Sequence, residues 1–204
     1  CGALFRGSLV QVARLMEAND WDDGVIKPTI SSGSWNTIRI SREGIPTSDS
    51  HFIFGRDAAA YDALLAELSQ THDLLVQRFL PSVLDWGELS MIFLGGHFSH
   101  AVRKTVGDSG GWWAHERLGG RNYAWRPEAE QFAWANRIYA ALEARYGWLW
   151  FARIDGIHDD EGRLHLLECE LAIPRLLLPE GDAVQRYANA IAAGIARFSP
   201  RYAN

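Results

Sequence analysis

Cysteine is nearly absent from this chain: Cys1 and Cys169 are the only two. A lone pair so far apart builds no disulfide framework, and neither residue stands in a CxxC spacing that suits zinc. An excess of basic charge is missing as well. Twenty Lys and Arg face 25 Asp and Glu, a formal net charge of -5, which disfavours nucleic acid as a partner. A local basic cluster around a small anion stays compatible with it. No stretch reaches the ~20 apolar residues that a membrane span requires, and no charged segment followed by an apolar run reads as a signal peptide. The expectation is a soluble, cytoplasmic protein. There is no GxSxG elbow, and no loop has the spacing of a Walker A motif. An initiator Met is also lacking, since the chain opens Cys1-Gly2-Ala3; a fragment or a processed chain is expected.

What is present is ordinary globular material. Of 204 residues, 48% are hydrophobic and 22% charged, enough for one large domain or two small lobes sharing a cleft. The nine Trp are expected in core packing. No repeat or low-complexity linker interrupts the chain.

Apolar periodicity predicts a helix from Ser8 to Ala18, and Gly24 to Pro28 reads as a short buried strand. Asn36 to Ser41 alternates as a second strand, so the Ser/Gly-rich stretch between them is a loop. Asp57 is a candidate cap for a helix through Leu68. Leu74 to Leu80 reads as a buried strand stopped by Pro81. Gly95-Gly96 is a strong hairpin turn between Glu88–Leu94 and His97–Lys104. Residues Val106 to Tyr123 have no clear period and read as a loop. Pro127 starts a helix that runs to about Arg145. A second hairpin joins Leu149–His158 to Arg163–Glu170, and Ala183 to Phe198 is a closing helix. Interleaved hairpins and helices make α+β the natural class.

The second hairpin holds the most chemistry. On a strand, Arg153 and Asp155 share a face, and so do Glu168 and Glu170. A four-residue loop at Asp159–Gly162 pairs His158 with Arg163 and sets Arg153 opposite Glu168. All four charges then lie on one face, whereas a slip of one residue separates them. Three carboxylates this close repel one another unless a cation neutralises them, and one or two Mg²⁺ ions suit their oxygen donors. The same pattern also fits a solvated strand face with an Arg153–Glu168 ion pair.

Lys27 closes a buried strand before Pro28 and the loop Ser31-Ser32-Gly33-Ser34. A Lys there reaches a phosphate as a point charge, and small residues let backbone N–H groups approach one. An exposed surface hairpin fits the pattern equally. In the first hairpin, Gly95-Gly96 as the turn pairs Leu94 with His97 and Glu88 with Arg103. His100 and Lys104 then share the opposite face, beside Met91. His97 and His100 point to opposite faces, which argues against zinc. Gln77, Arg78, Phe79 and Leu80 offer backbone and an apolar platform to a flat ring.

In type and order these pieces resemble the ATP-grasp superfamily, in its glutathione-synthetase-like branch, and especially the cyclo-ligase type of D-cycloserine biosynthesis. The matching segments are Val25-Ile26-Lys27-Pro28 with its Ser/Gly loop, Val76 to Leu80, Gly87 to Ser90, Phe98 to Lys104, Ala152 to Gly156 and Leu167 to Leu171, followed by Pro174. The resemblance covers roughly residues 20 to 178. It implies two lobes of antiparallel sheet plus helices with the nucleotide cleft between them, about 24–76 and 77–204. It implies ATP and Mg²⁺ as cofactors, and small-molecule carboxylate and amine substrates joined through an acyl phosphate. No nucleic acid or membrane partner is implied, and a homodimer is allowed. Lys27, Ser32, Gly33 and Ser34 correspond to phosphate contacts, residues 77–80 to the adenine site, and Glu88 to the ribose neighbourhood. Lys104 corresponds to a second cation near the phosphates, with His100 a neighbour, and Arg153 to the group that stabilises the transferring phosphoryl. Asp155, Glu168 and Glu170 correspond to the metal ligands. Many relatives have Asn where this chain has Glu170. Family members usually begin with a further α/β domain that helps build the substrate site; the expectation is that this chain starts close to where that domain ends and lacks part of the acceptor site. Three other functions are compatible with the residues: an ATP-grasp kinase, a non-catalytic nucleotide-binding module, and a metal-dependent hydrolase.

Overall fold

The computed structural model describes residues 2–5, 8–42, 46–49, 58–108, 111–172, 174–179 and 181–199. The Asp57 cap lies outside the described residues. The chain divides into two compact units, Cys1–Phe79 and Leu80–Asn204. Each is built on its own five-stranded antiparallel sheet, which makes the class α+β as expected.

In the first unit, strands β1 (Gly2–Phe5), β2 (Asp23–Pro28), β3 (Ile38–Ser41), β4 (Pro46–Asp49) and β5 (Leu74–Arg78) run in the order β1-β5-β2-β3-β4. Helix α1 (Leu9–Ala18) starts from Ser8 in a capping box with Gln11, whose side chain accepts the Ser8 N–H at 3.0 Å. Leu9, Val12 and Met16 of α1 join Tyr61, Leu65 and Leu68 of α2 (Ala58–Thr71) over Ile26, Ile38, Ile40, Leu74 and Val76. Helices therefore cover one sheet face. Alternation sends Val25 and Lys27 to the other face, where Gln77 pairs with Val25 and Leu75 with Lys27.

The second unit carries β6 (Glu88–Leu94), β7 (His97–Thr105), β8 (Arg121–Trp125), β9 (Phe151–His158) and β10 (Leu164–Glu170) in the order β10-β9-β6-β7-β8. Helices α3 (Ser82–Asp85), α4 (Ala129–Tyr146) and α5 (Asp182–Phe198) complete it. The expected loop Val106–Tyr123 instead ends in β8, an edge strand whose residues are mostly exposed. A strand without a buried face leaves no apolar period in the sequence.

Both hairpins of this unit differ in register from the simplest reading, and each difference has a local cause. Gly95 and Gly96 adopt φ of +59° and +94°, the two positive values a tight hairpin turn needs, and Leu94 pairs with His97. Between the Phe93–Phe98 and Ile92–His100 pairs, Ser99 is an extra residue. Glu88 consequently pairs with Lys104 and not with Arg103. His100 and Lys104 join the face of Glu88, Ser90 and Ile92, away from Met91. In the second hairpin, Asp159 draws Arg163 into the turn. Its carboxylate accepts the N–H groups of Glu161 and Arg163 at 3.0 and 2.9 Å and the Arg163 Nε at 2.9 Å. His158 then pairs with Leu164, one residue beyond the expected Arg163. That slip alone would bring Leu167 and Cys169 to the Arg153–Asp155 face. A bulge at Leu167 shifts the register once more, pairing Asp155 with Glu168 and Arg153 with Glu170.

The sheet thus has two unlike faces. Leu89, Met91, Phe93, Ala101, Ala152 and Ile154 pack under Ala135 and Tyr139 of α4. On the other face, α5 covers Ile92, Leu94 and Val102 through Ala190. The remainder of that face carries Glu88, Ser90, Lys104, Arg153, Asp155, Glu168 and Glu170.

Gly156, next to Asp155, fixes how closely α4 approaches, since a Cβ there would lie 2.5 Å from the Trp134 ring. Gly156→Ala is expected to lower stability by about 1–3 kcal/mol through overpacking, read by urea denaturation at unchanged m-value.

Candidate functional site

Strand pairing alone brings the charged residues together. On β6 and β9, Ser90 is paired with Asp155 and Ile92 with Arg153. Glu88 and Lys104 are paired on the other side of β6, and Glu168 and Glu170 come from β10.

Asp155 is the centre, with no exposed surface. Its Oδ1 accepts from the Ser90 hydroxyl at 2.7 Å and from Arg153 Nε at 3.0 Å. Its Oδ2 accepts from Lys104 Nζ at 3.0 Å and Arg153 Nη2 at 2.9 Å. Burial alone would raise its pKa, but Lys104, Arg153 and the Ser90 hydroxyl hold it well below the usual carboxylate range. Lys104 is in the reciprocal state. Burial disfavours its charge, and Asp155 with Glu88, whose Oε2 is 2.8 Å from Nζ, more than restores it.

Arg153 binds the cluster through two edges of its guanidinium. Nη2 lies 3.1 Å from Glu168 Oε1 and 2.6 Å from Glu170 Oε1, besides its bond to Asp155. Nη1 donates to the Arg175 carbonyl at 3.1 Å. Glu168 differs from Asp155. Its partly buried carboxyl sits beside the Asp155 and Glu170 charges, and its pKa is pushed up to about 7 against the pull of Lys104 and Arg153.

The raised Glu168 pKa has a consequence for stability. A proton is held more tightly in the folded state than in the unfolded chain, where a Glu titrates near ~4.3. The stability Glu168 confers when protonated is therefore lost as pH rises from about 4 through about 7. Glu168→Gln is expected to melt above the wild type at pH 8, with the gap closing toward pH 4–5. A gap independent of pH, followed by scanning calorimetry, contradicts this.

The donor set suits a divalent cation. Glu88, Asp155, Glu168 and Glu170 are opposed in their ion pairs by Lys104 and Arg153 alone, leaving two negative charges once Glu168 is ionised. The spare donors are carboxylate oxygens, as Mg²⁺ prefers. Among the described residues no His, Cys, Asp or Glu cluster is already arranged as a metal cage; Arg153 Nη2 occupies the point where the three carboxylates converge.

Beside the cluster lies a cavity of about 640 Å³. Val102, Asn122 and Ala124 form its floor and residues 174–179 one wall. That wall is held at two successive carbonyls, Arg175 by Arg153 Nη1 and Leu176 by His100 Nε2 at 2.9 Å. The carbonyl can only accept, so His100 Nε2 carries the proton and Nδ1 accepts from the Ser99 hydroxyl at 2.9 Å. Ser99 in turn accepts from Arg186 Nε of α5 at 2.9 Å. Burial lowers the His100 pKa, which keeps the ring neutral. Across the cavity, Arg175 forms an ion pair with Glu116, which also accepts from Asn122.

The structure gathers Glu88, Lys104, Arg153, Asp155, Glu168 and Glu170 into one network, and His100 lies on the same sheet face with both ring nitrogens engaged. Lys27, Ser32, Gly33, Ser34, Gln77, Arg78 and Phe79 belong to the first unit, and Leu80 opens the second. Residues 29–37 join β2 to β3 as a series of turns, with positive φ at Gly33, Ser34 and Asn36. Ser32 and Gly33 are exposed and Ser34 is half-buried. Arg78 pairs with Gly24, so its side chain falls on the face opposite to Gln77. Phe79 is buried under the Arg39 guanidinium, 3.8 Å from its ring centre. Ser90 and Arg175 carry no role in the sequence reading. A Ser inside the apolar run Leu89-Ser90-Met91-Ile92 signals a buried polar partner; Arg175 sits in an aperiodic segment with no such signal.

No family model matches the sequence, and a search of curated proteins finds no match. The structure does match solved ones. It aligns with the D-cycloserine synthetase DcsG at a TM-score of 0.77 and 24% identity, over 95% of this chain and 64% of that one. The ATP-grasp ligase PsnB, in a complex with a phosphomimetic variant of its minimal precursor, Mg and ADP, aligns at 0.56 and 15% identity, over 94% of this chain and 52% of that one. The D-alanine–D-alanine ligase of Bacillus anthracis aligns at 0.56 and 13%, over 90% and 57%. This chain therefore spans somewhat over half the length of these proteins, and its fold is the ATP-grasp fold.

Proposed function

We propose that this ATP-grasp chain is the nucleotide-binding and catalytic portion of an ATP-dependent ligase that activates a carboxylate as an acyl phosphate and joins it to an amine. The observation that carries this reading is one cluster on one sheet face, in which buried Asp155 and Arg153 and nearly buried Lys104 and Glu88 meet the more exposed Glu168 and Glu170. A fold shared with ATP-dependent ligases supports it. The two units would serve as the small lobe, about 24–76, and the larger lobe, about 77–204.

In this reading Asp155, Glu168 and Glu170 hold one or two Mg²⁺ ions, which when bound neutralise phosphate charge and orient the phosphoryl group for in-line transfer. Lys27 and the loop with Ser32, Gly33 and Ser34 hold the phosphates. Residues Gln77, Arg78, Phe79 and Leu80 seat the adenine through backbone groups, and Glu88 lies near the ribose. Arg153 keeps a full positive charge and a planar fork, which match the developing charge on a transferring phosphoryl or an acyl phosphate. Lys104 holds Asp155 ionised and in place. The cavity lined by residues 174–179 is where the acceptor would sit. The substrates are small carboxylates and amines, the active protein is cytoplasmic, and a homodimer is compatible with this reading.

Interception of the intermediate tests the reaction class. With ATP, Mg²⁺, D-alanine or D-serine and hydroxylamine, an acyl phosphate is captured as a hydroxamate while ADP and phosphate accumulate. A phosphorylated product that survives hydroxylamine identifies a kinase instead. Nucleotide binding with no turnover for any carboxylate tried identifies a binding module.

A further inference from the structure

The Arg153 guanidinium is rigid and planar, so its two edges move together. One edge, Nε with Nη2, bonds to oxygens of Asp155, Glu168 and Glu170 at 2.6 to 3.1 Å. The other, Nη1, bonds to the Arg175 carbonyl at 3.1 Å, and Arg175 belongs to the wall of the 640 Å³ cavity. A divalent ion ligated by all three carboxylates competes with Arg153 at Asp155, both of whose oxygens already accept at least two hydrogen bonds, and at Glu168 Oε1 and Glu170 Oε1, which Nη2 now engages. Because the fork is rigid, any shift of Nη2 off the carboxylates also shifts Nη1 at the wall. The Arg175 and Leu176 carbonyls of that wall are held by different residues. His100 holds Leu176 through a separate chain, Arg186 to Ser99 to His100, that does not touch the carboxylates.

We propose that Arg153 is the internal counter-ion that a divalent cation displaces, and that this displacement frees the Arg175 carbonyl and loosens the 174–179 wall at that end. The proposal rests on the assignment of Asp155, Glu168 and Glu170 as metal ligands. Metal entry is thereby coupled to the cavity. By reciprocity, a ligand that pulls the wall off Arg153 also raises the affinity for the metal. His100 limits the movement, since its grip on Leu176 is untouched by the metal.

The test uses Mn²⁺ alone as the probe, with binding read by electron paramagnetic resonance of the free ion. Arg153→Lys keeps the charge that buried Asp155 needs but lacks the two-edged fork. It is expected to bind Mn²⁺ about tenfold more tightly than the wild type, the scale on which residues supporting metal ligands act. Equal or weaker affinity in the variant overturns the proposal. The wild type supplies a second measurement that needs no variant. Hydrogen exchange by mass spectrometry should show the 174–179 peptide exchanging faster when Mn²⁺ is added. In Arg153→Lys exchange there should be fast already and unresponsive to metal. Unchanged or slower exchange in the wild type on adding Mn²⁺ also overturns the proposal. Failure of the metal assignment is seen separately: Glu168→Gln with Glu170→Gln then leaves Mn²⁺ affinity as it was.

Discussion

Asp155→Ala is expected to cost about 3–5 kcal/mol of stability, the scale for removing one partner of a buried ion pair. Asp155 has no exposed surface and is shared by Lys104, Arg153 and Ser90. Its loss leaves one buried ammonium and one buried guanidinium without their common acceptor. Asp155→Asn keeps the shape and the Ser90 bond but removes the charge, so a smaller loss is expected. The two variants should nonetheless fail alike in Mg²⁺-dependent nucleotide turnover, because the ionised oxygens are gone from both. Urea denaturation and an ADP-release assay on the same preparations separate the effects. A stable Asn variant with wild-type turnover would show Asp155 to be structural only.

Lys104→Met should cost ~3 kcal/mol at neutral pH, since it strands Asp155 and Glu88. The pH dependence has a defined sign. Asp155 in the wild type has a folded-state pKa below its unfolded value, so its stability is present above the unfolded pKa and is lost only as pH falls through the folded one. Without Lys104, burial pushes the Asp155 pKa upward, and the carboxyl takes a proton at a higher pH. The melting-temperature deficit of Lys104→Met is therefore expected to be largest near pH 7 and to shrink toward pH 4. A deficit that stays constant across that range would mean that Lys104 contributes through packing of its aliphatic stem and not through charge.

The site was legible in sequence where alternation alone decides a face. Arg153 with Asp155, and Glu168 with Glu170, are pairs at i and i+2, and any strand puts such pairs together. Register was less legible because both hairpins contain an extra residue. Ser99 moves Lys104 onto Glu88, and the Leu167 bulge compensates for the turn that Asp159 widens around Arg163. The expected convergence of four charges on one face was therefore reached through a different pairing. Residues recruited from irregular backbone, Arg175 above all, leave no period to read. Neither does β8, whose side chains are mostly exposed. Ser90 was readable in principle, since a hydroxyl in the middle of an apolar strand requires a partner and Asp155 supplies it.

Calorimetric titration of Mg²⁺ with a non-hydrolysable ATP analogue into the wild type and into Glu168→Gln with Glu170→Gln tests most directly whether this acidic face receives the nucleotide's metal. Both glutamates lie at the rim of the cluster, so the folded state should survive their neutralisation. Saturable, metal-dependent binding in the wild type, weakened about 30-fold or more in the double variant, is the predicted result. Equal affinity in the two proteins, with the fold of both intact, would contradict it.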